Sequence, residues 1–197
     1  MGILTTGFIP DIINAYGGLR ASMRAQIHRN YGEERLLALV AYGCFAIFLS
    51  FLPRLLATNL SASPEQSIAA GIIMWFFVVM FFFPLLFYAV AAISHLIARV
   101  FGANGSFFNA RHALFWMLTV LSPVLLVKAM LTSVFIQIGG TAGENLLMAL
   151  NIILVSAILR IWGAFLAEVE GFSRTYITSL LIAITFITLG VVVYLIS

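Results

Sequence analysis

The stretch SIAAGIIMWFFVVMFFFPLLFYAVAAISHLIA, residues 67–98, decides the fold class of this chain. It contains no Asp, Glu, Lys or Arg, and His95 is its single histidine. A helix of this length extends about 48 Å at about 1.5 Å per residue, whereas the hydrocarbon core of a bilayer is about 30 Å thick. The stretch is therefore long enough to cross a membrane, and Pro84 near its middle predicts a kink.

The composition of the whole chain agrees with this interpretation. Hydrophobic residues make up 63% of the 197 residues and charged residues only 9%, whereas soluble domains carry about 25% charged residues. This composition excludes an ordinary soluble enzyme. Four further apolar runs predict spans at about 36–53, 108–136, 145–167 and 176–196, with loops at 57–66 and 139–143. We therefore expect an all-α integral membrane five-helix bundle with residues 36–197 as its transmembrane domain.

The first 35 residues differ from the rest and are expected to form a cytoplasmic segment. Apolar residues recur there at spacings of three and four, which places them on one face of an amphipathic helix: Ile12, Tyr16, Leu19, Met23 and Ile27. Such a helix can lie in the headgroup layer with its arginines near anionic lipid. Alternatively its apolar face packs against the bundle, and the two arrangements are compatible. Gly17 and Gly18 weaken the helix and could bend it.

The distribution of arginines predicts the orientation. With the N-terminus inside, cytoplasmic segments hold seven arginines, whereas the outer loops hold only Arg54. The seven are Arg20, Arg24, Arg29, Arg35, Arg99, Arg111 and Arg174. Basic residues are enriched in cytoplasmic loops. We therefore expect a bacterial inner (cytoplasmic) membrane protein with a cytoplasmic N-terminus and, after five spans, a periplasmic C-terminus.

Six ionisable side chains share one predicted depth near the cytoplasmic boundary. They lie at the ends of spans two, three and four: His95, Arg99, Arg111, His112, Glu168 and Glu170. One interpretation is a salt-bridged lattice that joins helix ends, in which Arg99 or Arg111 contacts Glu168 or Glu170. The alternative is a site for a lipid headgroup, a quinone or a partner segment.

Three other polar groups fall within the predicted spans and need an explanation there. Lys128 either extends outward along its stem or pairs inside the bundle, where Asn151 has a similar depth. The same choice applies to Arg160. In span four, the small residues Gly163, Ala167 and Gly171 recur every four positions, a pattern suited to close helix contact.

Motifs of enzyme chemistry are absent from the sequence: there is no GxSxG, no HExxH and no P-loop. His95 and His112 have no neighbours at the spacing of metal ligands, so we expect no metal and no cofactor. The sequence thus favours a non-catalytic scaffold, assembly factor or accessory subunit that binds membrane lipids or a membrane protein partner. Nucleic acid is not an expected partner, and a homo-oligomer is possible. A small transporter or channel is the alternative.

Three segments carry a resemblance to a known family. They are AAISHLIARVFGANGSFFNARHALFWMLTVLSPVLLV at 91–127, AEVEGFSR at 167–174 and RNYGEERLLALVAYGCFAIFLSFLPRL at 29–55. The chain resembles bacterial members of the YIP (Ypt-interacting protein) family, in particular those of alphaproteobacteria. The resemblance implies five spans and a cytoplasmic N-terminus. Eukaryotic relatives act in vesicle traffic and bind prenylated Rab-type GTPases. This sequence departs from the eukaryotic pattern because it lacks a long soluble N-terminal region, so Rab binding is not expected.

Overall fold

The computed structural model describes residues 7–29, 32–60, 68–175, 178–180 and 182–184. Throughout these ranges the regular secondary structure is helical. The helices follow in the order α1 (Phe8–Gly17), α2 (Leu19–His28), α3 (Glu33–Leu60), α4 (Ile68–Phe77), a π-helical turn (Val78–Phe82), α5 (Phe83–Val100), α6 (Phe107–Ile138) and α7 (Gly140–Glu170).

Four helical segments are long and apolar enough to cross a membrane by length and composition. They are Glu33–Ala57, Ile68–Val100, Phe107–Ile138 and Gly140–Glu170. This confirms the expectation of an all-helical chain and is compatible with a multi-pass membrane protein. The four segments cover the first four predicted spans, apart from residue 67. The fifth predicted span, 176–196, lies outside the described residues except for 178–180 and 182–184, which are helical.

Two predicted boundaries were wrong. Pro53 does not end the first span, because α3 continues to Leu60. A proline removes one backbone hydrogen bond, but in an apolar setting the remaining backbone groups can be satisfied only by continuing the helix. The predicted flexible loop at 139–143 is also reduced to one residue, Gly139, whose φ of 64° turns the chain between α6 and α7. Gly143 then faces α6 so closely that a Cβ there would lie 2.6 Å from the Phe135 carbonyl oxygen.

The prolines inside the long helices are accommodated in different ways. Pro84 cannot donate to the backbone carbonyl four residues earlier, and the helix widens into the π-helical turn just before it. Pro123 likewise leaves the Thr119 carbonyl oxygen without its usual donor. There the Ser122 hydroxyl donates to that oxygen at 2.8 Å. In α6 the carbonyl group that Pro123 leaves without its backbone donor is therefore still hydrogen-bonded.

Helix α6 is the centre of the bundle and packs against α3, α5 and α7. Its contact with α3 is close because residue 43 is glycine: a Cβ at Gly43 would lie 2.6 Å from Leu118 Cβ. Large aromatic side chains fill the interior between the helices and are fully buried: Phe115, Trp116, Trp162 and Phe165. Together with the buried aliphatic residues around them, they form one continuous apolar core.

The N-terminal residues form two helices rather than one, separated at Gly18, and both pack against the bundle. Met23 is fully buried and Ile12 is 5% exposed. The Tyr16 hydroxyl donates to the Val120 carbonyl at 2.5 Å, and the Trp116 indole N–H donates to Ser22 Oγ at 3.0 Å. This is the bundle-packing arrangement that the sequence left open.

The bundle has two ends that differ in their packing. At the proximal end, α1 and α2 cover the region where α3 begins, α5 ends, α6 begins and α7 ends. The distal end holds the turn at Gly139 and the start of α4. Several large apolar side chains are exposed in the distal parts of α4, α6 and α7, including Met74, Met130 and Met148.

Candidate functional site

At the proximal end, His95 and Glu170 form a buried pair. His95 Nδ1 lies 2.6 Å from Glu170 Oε1, and the two side chains are 9% and 0% exposed. The loop between α5 and α6 closes over this pair, since the Asn104 backbone N–H donates to the Glu170 carbonyl at 3.3 Å. Gly105 is required there because a Cβ would lie 2.5 Å from Glu170 Oε2. This second carboxylate oxygen has no hydrogen-bond partner among the described residues.

Glu168 holds the N-terminal helix α2 against the end of α7. Arg20 Nε lies 2.8 Å from Glu168 Oε2, and Arg24 Nε lies 2.7 Å from Glu168 Oε1. Arg20 also donates to the backbone carbonyls of Ser173 and Phe172, at 2.9 Å each. The hydrogen bond from Arg24 to Glu168 raises the pKa of that guanidinium. One carboxylate thus binds two arginines that are four residues apart on one helix face.

Arg111 joins the starts of α3 and α6. Its guanidinium lies 2.6 Å from Glu33 Oε1 and 4.9 Å from the ring centre of Phe107. The neighbouring His112 is 2% exposed, and its Nε2 has no hydrogen-bond partner among the described residues. His112 lies on a buried part of α6, and its ring contacts the Phe108 ring.

The predicted pairing of the polar cluster was therefore wrong in its partners. In the described part of the chain, neither Arg99 nor Arg111 forms an ion pair with Glu168 or Glu170. The carboxylates are instead bound by side chains from other segments, because α2 brings its arginines to the end of α7. Arg99 is exposed beside the cluster and makes no ion pair among the described residues. The sequence placed His95 near the predicted arginine–glutamate contact, but it did not predict His95 as the partner of Glu170.

Toward the distal end, Lys128 and Asn151 line the same cavity, which lies between α3, α6 and α7 and has a volume of about 660 Å³. The other polar residues of its wall are Ser50, Arg54, Thr132 and Glu144. The Lys128 ammonium lies 4.8 Å from the ring centre of Phe51 and has no carboxylate within 4.0 Å among the described residues. Thr132 is 5% exposed, and its hydroxyl has no partner among those residues.

A second cavity, of about 300 Å³, adjoins the first one. Its wall is almost entirely apolar and comes from α3, α5, α6 and α7, with Phe87, Leu121, Leu154 and Trp162 among its lining residues. Three residues, Ser50, Phe51 and Lys128, line both cavities. The structure thus places a polar chamber and an apolar chamber side by side, with Lys128 at the boundary between them.

Arg160 does not belong to either of these cavities. It lines a separate one with Leu19, Ser156 and Ser179. On the same helix, Gly163 confirms the close contact that the small-residue pattern suggested. A Cβ at Gly163 would lie 2.1 Å from Ser179 Oγ, and the Thr178 hydroxyl donates to the Gly163 carbonyl at 2.6 Å.

Several residues of these sites were not predicted from the sequence. Arg20 and Arg24 were placed near anionic lipid in one of the two alternatives, although their spacing of four on one helix face also suits a single carboxylate. Glu33 and Thr132 carry no pattern that separates them from other polar residues at helix ends or in apolar runs. No group of three or more His, Cys, Asp and Glu side chains in the described ranges is placed to hold a metal ion.

Comparison with known proteins adds no family assignment. No family model matches the sequence, and no curated protein or solved structure is significantly similar to it. The resemblance to the YIP family therefore remains an expectation from the sequence.

Proposed function

We propose that this protein is a non-catalytic membrane scaffold or accessory subunit that binds a membrane protein partner and lipid. The observation that carries this proposal is the separation of its intramembrane polar groups. Lys128 and Asn151 share one cavity, whereas Arg160 lines another. A transporter or channel would need these groups along one polar, water-accessible path.

The interior of the bundle beside the Lys128 cavity supports this interpretation. It holds the apolar cavity and fully buried aromatic side chains, including Phe115 and Trp162. A hydrated ion or polar solute would lose its hydrogen bonds on passing through such a region. The proximal carboxylates Glu33, Glu168 and Glu170 are likewise bound in local pairs, which suits a structural role for that end.

The surface offered to a partner is the aromatic face around the π-helical turn, formed by Phe77, Phe81 and Phe82, which are 54%, 62% and 66% exposed. Aromatic side chains contribute large contact areas in protein interfaces. A π-helical turn within an α-helix also occurs often at functional sites. We place this face in the inner membrane of a bacterium with the proximal end toward the cytoplasm, on the arginine distribution and the resemblance to the YIP family.

The proposal is tested by affinity capture in mild detergent followed by mass spectrometry. We expect one membrane protein to be enriched with the wild-type chain and lost with the triple variant Phe77→Ala, Phe81→Ala and Phe82→Ala. A matched variant with Met148→Ala, Ile152→Ala and Ile153→Ala, on the exposed face of α7, should still capture it. Equal capture of this partner by the two triple variants would contradict the proposal. So would a solute flux through proteoliposomes of the wild type that is lost in Lys128→Gln.

A further inference from the structure

We infer that the two adjoining distal cavities bind one anionic phospholipid, with its headgroup in the polar chamber and one acyl chain in the apolar chamber. The inference rests on the lipid-binding part of the proposed function and names the lipid class and the position. Its first basis is the shape of the site. A chamber of about 660 Å³, whose wall carries six polar side chains, shares Ser50, Phe51 and Lys128 with an apolar chamber of about 300 Å³.

The charge of the polar chamber favours an anion. Its ionisable residues are Arg54, Lys128 and Glu144, which together carry one net positive charge. Lys128 lies at the junction of the chambers, partly buried and in contact with a ring face rather than with a carboxylate among the described residues. A lysine there can bind a phosphate oxygen without first leaving an ion pair.

The buried Thr132 hydroxyl provides a second, independent argument. It lines the polar chamber, is 5% exposed and has no hydrogen-bond partner among the described residues. A buried hydroxyl without a partner is unfavourable, because it has lost its hydrogen bonds to water. A phosphate or glycerol oxygen of the lipid would satisfy it. Asn151 adds an amide that can donate to the same group.

The depth of Lys128 suits a phospholipid headgroup. Helix α6 has 32 residues, so its length of about 48 Å exceeds the hydrocarbon core by about 9 Å at each end if it is centred. Lys128 lies ten residues before the distal end of α6 at Ile138, which is about 15 Å along the helix. Its Cα is therefore about 6 Å inside the hydrocarbon boundary, where the lysine stem can carry the ammonium outward. An acyl chain held at this point would continue toward the bilayer centre, where the apolar chamber lies.

The test is native mass spectrometry of the full chain in detergent with two added probes, dioleoylphosphatidylglycerol and dioleoylphosphatidylcholine. We expect one tightly bound phosphatidylglycerol, preferred over phosphatidylcholine by about fivefold, which corresponds to about 1 kcal/mol for one basic side chain near anionic lipid. Lys128→Gln should remove this preference, and Lys128→Arg should retain it. Arg160→Gln makes the same change of charge outside the two chambers and should leave the preference intact.

Filling the apolar chamber provides an independent arm. Leu154→Trp should weaken binding of both lipids, because the larger side chain would fill the apolar chamber. Leu154 lines that chamber and does not line the polar one. Equal binding of the two lipids by the wild type, or an unchanged preference in Lys128→Gln, would overturn the inference. Displacement of the lipid by inorganic phosphate alone would overturn the role of the acyl chain. If Lys128→Gln loses the lipid preference but still captures the membrane protein partner, lipid binding and the proposed scaffold function are separate properties of the chain.

Discussion

Nδ1 of His95 lies 2.6 Å from Oε1 of Glu170, although 75 residues separate the two in the chain. The pair connects the end of α5 to the end of α7, and the loop at Gly105 closes over it. These two helices make their principal contacts with α6 rather than with each other. The pair is therefore a direct polar link between two elements that otherwise meet through the central helix.

This link predicts a large effect of removing one partner. We expect Glu170→Ala to destabilise the protein by about 3 kcal/mol, because it leaves a buried His95 without its partner. The measurement is the apparent melting temperature in mild detergent. Arg99→Ala, which removes an exposed arginine without an ion pair in the described part of the chain, is the control and should change it little. The double variant His95→Ala, Glu170→Ala should cost less than the two single changes added together; strict additivity would mean that the pair contributes nothing.

The position of Glu168 predicts that it holds the N-terminal helices in place. We expect Glu168→Gln to accelerate trypsin cleavage after Arg20, Arg24 and Arg29 severalfold, because α2 loses the carboxylate that binds two of its arginines. Cleavage of the wild type should also accelerate at high salt, since partly exposed ion pairs are screened. Glu144→Gln makes the same chemical change at the distal cavity and should cleave at the wild-type rate. An equal rate in both variants would show that apolar packing alone holds α1 and α2.

The crossing of α3 and α6 predicts a strong dependence on side-chain size at residue 43. A Cβ at Gly43 would lie 2.6 Å from Leu118 Cβ, so Gly43→Ala should destabilise the protein by about 1–3 kcal/mol. Gly17→Ala is the matched control, because a Cβ at Gly17 would have no atom within 4 Å apart from its chain neighbours and the backbone of its own helix. It should be neutral or stabilising by about 0.5–1 kcal/mol through the helix preference of alanine. Similar melting temperatures for both variants would contradict the close helix crossing.

The arginine distribution predicts the positions of the two termini. If the chain has five spans, a reporter fused before Met1 should be active only as a cytoplasmic reporter, and one fused after Ser197 only as a periplasmic reporter. If both fusions report the same side of the membrane, the number of spans is even. The four long apolar helices would then be the spans, and residues 176–196 would not form a fifth one. An additional fusion within residues 61–67 should report the periplasm in either case and so serves as the control.

Much of the helical architecture could be predicted from local sequence. Long runs without charge, such as residues 67–98, leave a helix as the only conformation that satisfies the backbone in an apolar setting. Loop boundaries could not be predicted equally well. Pro53 and the glycines at 139–143 are local signals for interruption, but continuing α3 and starting α7 at once keep backbone groups paired. Whether these residues interrupt a helix depends on the free-energy cost of leaving backbone N–H and C=O groups unpaired, and that cost depends on how apolar the environment is.

The sequence by itself determined that the chain forms apolar helices long enough to span a membrane, and that His95 and Glu170 would share one depth near a helix end. Only the tertiary structure decided which charges meet. Arg20 and Arg24 reach Glu168 because α2 folds back onto α7, and Arg111 turns to Glu33 at the start of α3. It also placed Lys128 between a polar and an apolar chamber. The physical reason is that periodicity and depth follow from the order of residues along a helix, whereas the azimuth of each helix and the partner it faces follow from packing across the whole bundle.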